Sequence, residues 1–226
     1  MSLWSRIKRW FVRKPKATPI SPTPTKPPEA PNKPTTPSNP PTVMVDVFLR
    51  NELIKLVAKD IGQRETTGKN RSPLIDMINS SCPGAYIGAP YCISGLLVRG
   101  VKKLCNTYGL ANPVKMTAST QEFYDATPAK FKHAKGSLGH KGDIGIQQSK
   151  SNPDTGHAYI LEEDEASTSG LQHTIEYNTD GSGGRDGDGV YRRTRSQSGD
   201  LLKRYRGSVD VIAWILSANP NFKAQP

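Results

Sequence analysis

The groups in this sequence best suited to covalent chemistry are its three thiols, Cys82, Cys92 and Cys105. Cys92 sits in PYCISGLL, where a run of helical periodicity begins, with Pro90 placed for the first turn. The free amides and positive dipole end of a first turn favour a thiolate, the form that attacks a carbonyl. Cys105 lies late in the same run and reads as a small core residue. Cys82, in the SSCPG turn, reads as a loop residue. An odd number of widely spaced cysteines with no C-x-x-C pair makes neither a disulfide scaffold nor a structural zinc site. At least one thiol is therefore expected to be free.

A nucleophilic thiol needs a base. His133 and His140 lie in a Lys- and Gly-rich connection and are expected to be solvated loop residues. His157 follows Gly156 and opens the alternating segment HAYIL, and the glycine permits close approach of a neighbour. The base in turn needs an orienting partner. In LQHTIEYNT a period of two puts Thr174, Glu176 and Asn178 on one face and His173, Ile175 and Tyr177 on the other. A carboxylate or amide oxygen on the first face can accept an imidazole N–H, fix the tautomer and hold the ring toward a thiol. No metal-ligand cluster is visible in the sequence, and the chemistry needs no metal or organic cofactor.

The elements that must position these groups fall into two sets. Helical spacing is predicted in the later part of Val43 to Gln63 and from Ala89 to Tyr108, with Gly109 as a stop. Ser72 and Pro73 begin a short helix in SPLIDMINS, and Ser119 to Ala126 reads as a weaker one. After Gly142 the segments IGIQQ, HAYILEE, QHTIEYNT, VYRRTR and VDVIAWIL are short, and Gly, Asn and Asp clusters separate them. They predict strands of an antiparallel sheet. Helices first and strands second predict an α+β fold, with the helices packed on one face of the sheet.

Charge separates the chain differently. The 226 residues carry 31 Lys plus Arg and 20 Asp plus Glu, a net charge of +11. Residues 1–42 hold eight of the bases and one acid, so +7 of that charge, together with eleven of the 19 prolines. Residues 1–16 predict a basic amphipathic helix carrying Trp4 and Trp10, suited to contact with a membrane or envelope surface. Bases interrupt its apolar residues too often for a signal peptide. Residues 17–42 predict a disordered Pro/Thr/Lys-rich linker, and residues 43–226 a single globular domain, expected to be monomeric. No apolar run is long enough for a transmembrane helix. With most of the excess charge in the leader and no aromatic-basic recognition motif, nucleic-acid binding is not expected.

Four blocks resemble the CHAP family of cysteine amidohydrolases and peptidases, within the NlpC-type, papain-like superfamily. PYCISGLL resembles the nucleophile block, KGDIGI the Gly-Asp turn into the first strand, GHAYIL the Gly-His block, and TIEYNT the block supplying Glu and Asn. GSGGRDGDGVYRRTR and IGQRETTGKNRSPLID resemble segments of a phage and bacterial branch of such domains, so the similarity runs from about Leu53 to Ile215. The resemblance implies Cys92 as nucleophile, His157 as general base, Glu176 as its orienting residue and Asn178 as a polar group completing the site. It implies a papain-like fold and hydrolysis of a peptidoglycan amide, as an endopeptidase or an N-acetylmuramoyl-L-alanine amidase. It also implies the setting of a phage-type lysin, made in the host cytoplasm and acting at the cell wall, or of a virion-associated wall hydrolase. Tyr91, Ile93, Tyr159 and Tyr177 depart from the family's usual residues toward greater bulk, which bears on pocket shape. Two other classes stand beside this one: a non-catalytic wall-binding module of the same fold, and a basic nucleic-acid-binding protein.

Overall fold

A computed structural model describes residues 41–149, 152, 155–166, 171–181, 187–196 and 205–223. The amphipathic segment 1–16 and nearly all of the linker lie outside the described residues. Helix α1 (Pro41–Ala58) takes in the last two residues assigned to the linker, with Pro41 at its first position. Helix α2 (Pro73–Ser80) begins as its sequence predicts: Ile75 N donates to the Ser72 side chain at 3.2 Å.

Helix α3 runs without a break through Cys92–Gly95, a π-helical stretch Leu96–Lys102, and Lys103–Tyr108. It stops at Gly109, whose φ of 63° is the left-handed conformation that glycine adopts without penalty. Its start is later than the spacing predicts. Tyr91 is the cap and Cys92 the first helical residue, so Pro90 precedes the helix rather than lying in its first turn. Helix α4 (Thr120–Ala126) is capped by Ser119, whose hydroxyl accepts from Glu122 N at 3.2 Å.

The strands β1 (Lys132–Ala134), β2 (Ile144–Gln148), β3 (Gly156–Leu161), β4 (Leu171–Thr179), β5 (Gly189–Ser196) and β6 (Tyr205–Val209) form one antiparallel sheet in the order β1-β6-β2-β3-β4-β5. The fold class is therefore α+β. The segment VDVIAWIL is not the strand its apolar run predicts. Asp210 ends β6 and caps helix α5 (Val211–Ala218) by accepting from Ala213 N at 2.9 Å. A short apolar run cannot by itself distinguish a buried strand from a buried helix, and the capping aspartate decides.

Helix α3 lies against β3 and β4. The approach is close: a Cβ on Gly95 would sit 2.5 Å from the Tyr177 ring. The Tyr177 hydroxyl reaches past this contact and donates to Asp60 Oδ2 at 2.7 Å, and Arg99 of α3 holds the same carboxylate with two bonds of 2.7 Å. Gly100 brings α3 equally near α1, where Leu53 and Val57 would meet its Cβ at 3.0 and 2.9 Å. Helix α3 is thus clamped from both sides. Tyr159 packs over its cross-strand partner Gly145, and its hydroxyl donates to Gln172 Oε1 at 3.0 Å. Tyr91, Ile93, Tyr159 and Tyr177 are fully buried, so the bulkier residues fill the core. Among the described residues, no helix is long and apolar enough to cross a membrane.

Candidate active site

Cys92, His157 and Glu176 meet where the start of α3 faces β3 and β4. Cys92 is buried but lines an open groove of about 400 Å³. Tyr86, Pro90, Ser119, Glu122, Gly156 and Asn178 also line this groove. His157 is the second residue of β3, and Gly156 before it makes room for helix α4: a Cβ there would lie 2.2 Å from Thr120 Oγ1. The close approach expected at this glycine is therefore real, and its neighbour is Thr120.

His157 Nε2 lies 3.0 Å from Glu176 Oε2. Nδ1 is buried and makes no hydrogen bond of ordinary geometry, which leaves it as the nitrogen to exchange a proton with Cys92. The ring and the thiol perturb one another. Burial alone would raise the Cys92 pKa. The interaction with His157, then the backbone amides of Ala158 and Ile93, outweigh burial and hold the thiol below its ordinary value. Burial alone would lower the His157 pKa, but Cys92 and Glu176 outweigh it and raise the imidazole to about 9. Both shifts run in the direction that favours a thiolate–imidazolium pair. Cys82 and Cys105 behave oppositely, because burial without a partner imidazole pushes both thiols to about 11. All three thiols are free.

Glu176 is fully buried and its carboxylate is saturated with donors. Thr174 Oγ1 donates to Oε1 at 2.7 Å, as their shared strand face predicts. Arg195 of β5 grips both oxygens, with Nε donating to Oε1 at 2.5 Å and Nη2 to Oε2. Burial would raise the Glu176 pKa, yet Arg195 and then His157 overcome it and hold the carboxyl near 2. Arg195 was not legible as a site residue. It belongs to the basic run VYRRTR, and only the pairing of β4 with β5 brings it to Glu176.

Asn178 reaches the groove by a different route from the one its spacing predicts. The β4–β5 register shifts between Tyr177 and Thr179, and Asn178 takes a φ of 55°. This is a bulge, in a backbone region that asparagine tolerates better than most residues. The side chain lines the groove together with Cys92. Strict alternation ends one residue earlier.

The loop that carries Cys92 into α3 is braced from behind. Asn79 Nδ2 donates to Ala89 O at 3.0 Å, and Asn70 Nδ2 donates to Gly88 O at 3.0 Å. Tyr91, as the cap, supplies no side-chain acceptor to the first turn of α3. His173 is half-buried on the opposite face of β4, beside Glu163 and Thr194, and is not part of this cluster. His140 is an exposed loop residue as expected, whereas His133 belongs to strand β1 and is half-buried.

The chain matches no protein-family model and no curated protein. Among solved structures it is similar to the crystal structure of Ly7917, at 14% identity over 71% of this chain and with a TM-score of 0.36. The match spans 61% of that chain, under two thirds of its length. A likeness this distant defines neither a fold family nor an activity.

Proposed function

We propose that this protein is a cysteine amidohydrolase of the CHAP type, papain-like in fold, that cleaves an amide of peptidoglycan. The observation that carries the reading is a single one. A buried thiol with a lowered pKa opens a helix at the floor of an accessible groove, beside an imidazole held by a buried carboxylate. The four sequence blocks that resemble the family supply the substrate class.

Cys92 thiolate adds to the substrate carbonyl carbon, and the carbonyl oxygen becomes an oxyanion. A backbone amide at the start of α3, which no side chain caps, is the donor assigned to it in this reading. The C–N bond then breaks as the His157 imidazolium gives its proton to the leaving amine, which leaves a thioester on Cys92. Neutral His157 next takes a proton from water. The hydroxide attacks the thioester, the C–S bond breaks, and a carboxylic acid and the Cys92 thiolate are released. Glu176 keeps the imidazole oriented through both half-reactions and supports its positive charge. The setting that follows is that of a phage-type lysin or a virion-associated wall hydrolase, with residues 1–16 contacting the envelope.

Alkylation and digestion together test this. Iodoacetamide at pH 6–7 should modify Cys92 and spare Cys82 and Cys105, as mass mapping of the folded protein reads out. Purified peptidoglycan should release fragments with new amino termini or free lactyl groups, and the Cys92→Ala protein should release none. Equal alkylation of all three thiols, or digestion by Cys92→Ala, would sink the assignment.

A further inference from the structure

At the other end of the sheet, the fold gathers a second set of polar side chains. The sequence scatters it over Asp46 and Arg50 of α1, His133 of β1, His140 and Asp143 in the turn before β2, and Asp210 between β6 and α5. Arg50 is buried and is the hub. It donates to Asp46 Oδ1 at 2.8 Å, Asp143 Oδ1 at 3.2 Å and Asp210 Oδ2 at 2.8 Å. Three carboxyl groups thus share one guanidinium, an excess of acidic groups. The Lys141 ammonium, next in sequence to His140, donates to Asn51 Oδ1 at 2.7 Å.

Two imidazoles stand over this excess. One donor atom each from His133, His140 and Asp210 lie within 4.8 Å of one another. The rings of His133 and His140 meet edge-on, 5.4 Å apart. His133 Nδ1 is buried and lies 3.2 Å from Asp143 Oδ2 without an aligned hydrogen bond. A cavity of about 550 Å³, lined by Asp46, Arg50, His140, Asp164 and Asp210, opens beside them.

We propose that His133, His140 and Asp210 form a divalent-metal site, with zinc as the fitting ion. Two imidazoles and one carboxylate are a donor set that zinc accepts, and the adjoining cavity has room for a water as fourth ligand. Asp210 already accepts from Arg50 and Ala213 N, but a carboxylate offers about four lone-pair sites, so one on this side remains. Asp143 Oδ2, 3.2 Å from His133 Nδ1, is placed to serve as the outer partner, with Nε2 then left for the metal. Ligands of a tetrahedral zinc, each about 2.0–2.1 Å from the ion, lie about 3.4 Å apart, so the donors must draw together by more than an ångström. Exposed His140 is free to make that movement. The bound ion would clip β1, the turn before β2, and the β6–α5 junction to one another. The site does not depend on the proposed hydrolase activity.

The test uses the full chain carrying Cys92→Ala, which removes the competing thiolate, after chelator treatment at pH 7.5. Cobalt(II) titration followed by absorption should saturate at one equivalent, and zinc should displace it. Zinc should also raise the melting temperature. His140→Ala and His133→Ala should each weaken zinc binding at least tenfold, because loss of even an outer partner costs about 10–100-fold. His173→Ala should leave the affinity unchanged. His140 is exposed, so its replacement should not disturb folding, and circular dichroism checks this. Absence of saturable binding, an unchanged affinity in His140→Ala, or equal weakening by His173→Ala would overturn the proposal.

Discussion

Two of the polar clusters among the described residues use similar side chains to different ends. Around Glu176, acidic and basic groups alternate: thiol, imidazole, carboxylate and guanidinium run from Cys92 through His157 and Glu176 to Arg195. Around Arg50, three carboxylates share one cation. The first cluster ends in a groove, with one nitrogen of its imidazole unused for structure. The second ties α1 to the turn before β2 and to the start of α5. Alternating charge along a line lets a proton move with little change in total field, whereas a hub holds elements together. Buried ion pairs are poor evidence for stability by themselves, but removing one partner leaves uncompensated charge and is costly.

That contrast can be broken by mutation, and the largest effect belongs to the line. His157→Ala should lower the hydrolysis rate by about 10²–10⁴-fold, the range of a general acid–base group. Cys92→Ala should be at least as damaging. Because the two act in one step, the double mutant should be little worse than the worse single. Turbidity loss of a peptidoglycan suspension measures all three, and thermal melts should show that each remains folded. A double mutant far below both singles would mean that the residues act separately.

The hub should respond in stability instead. Arg50→Met leaves Asp46, Asp143 and Asp210 without their shared cation, and should cost about 3–5 kcal/mol in urea denaturation. The folded fraction should keep Cys92 alkylation at neutral pH. Loss of that reactivity without loss of stability would reverse the roles assigned to the two clusters.

Arg195 sharpens the comparison with the smallest effect. It is the main cause that holds Glu176 near pKa 2 and bonds to that carboxylate, so in the proposed mechanism it is a positioning residue. Arg195→Met should reduce turnover on the order of 10-fold to 100-fold by loosening the carboxylate behind His157. The sign of the pH effect follows from the depressed pKa. Stability contributed by ionised Glu176 is present above the ordinary carboxylate range and is lost as pH falls through about 2. Without Arg195 that loss should begin at higher pH, which moves the acid limb of the activity profile upward. Arg195→Lys should restore part of the shift but less of the rate, since an ammonium keeps the charge without the two-pronged grip. An unshifted acid limb in Arg195→Met would show that Arg195 serves only to fill space.

Much of the α+β architecture was legible from local signals. Ser72 before Pro73, Ser119 before α4 and Gly109 after α3 act through hydrogen bonds and backbone angles within a few residues. Thr174 and Glu176 share a face because a strand repeats every two residues. The failures were also local in form. The apolar run after Asp210 suited strand or helix equally, and Asn178 left the alternation at a bulge whose register neighbouring β5 sets.

By itself, the sequence determined which residue types stood at the start of a helix and on one strand face, and so singled out Cys92, His157 and Glu176. Tertiary structure alone decided what surrounds them. Pairing of β4 with β5 brought Arg195 to Glu176, and the closeness of α3 to β4 required Gly95 opposite Tyr177. Folding also brought His133, His140 and Asp210, separated by up to 77 positions, to within 4.8 Å. The physical reason is range. Caps, turns and periodicity are fixed by interactions a few residues long, whereas the field at a buried group is set by whichever charges packing brings within a few ångströms, and their spacing along the chain carries no trace of that.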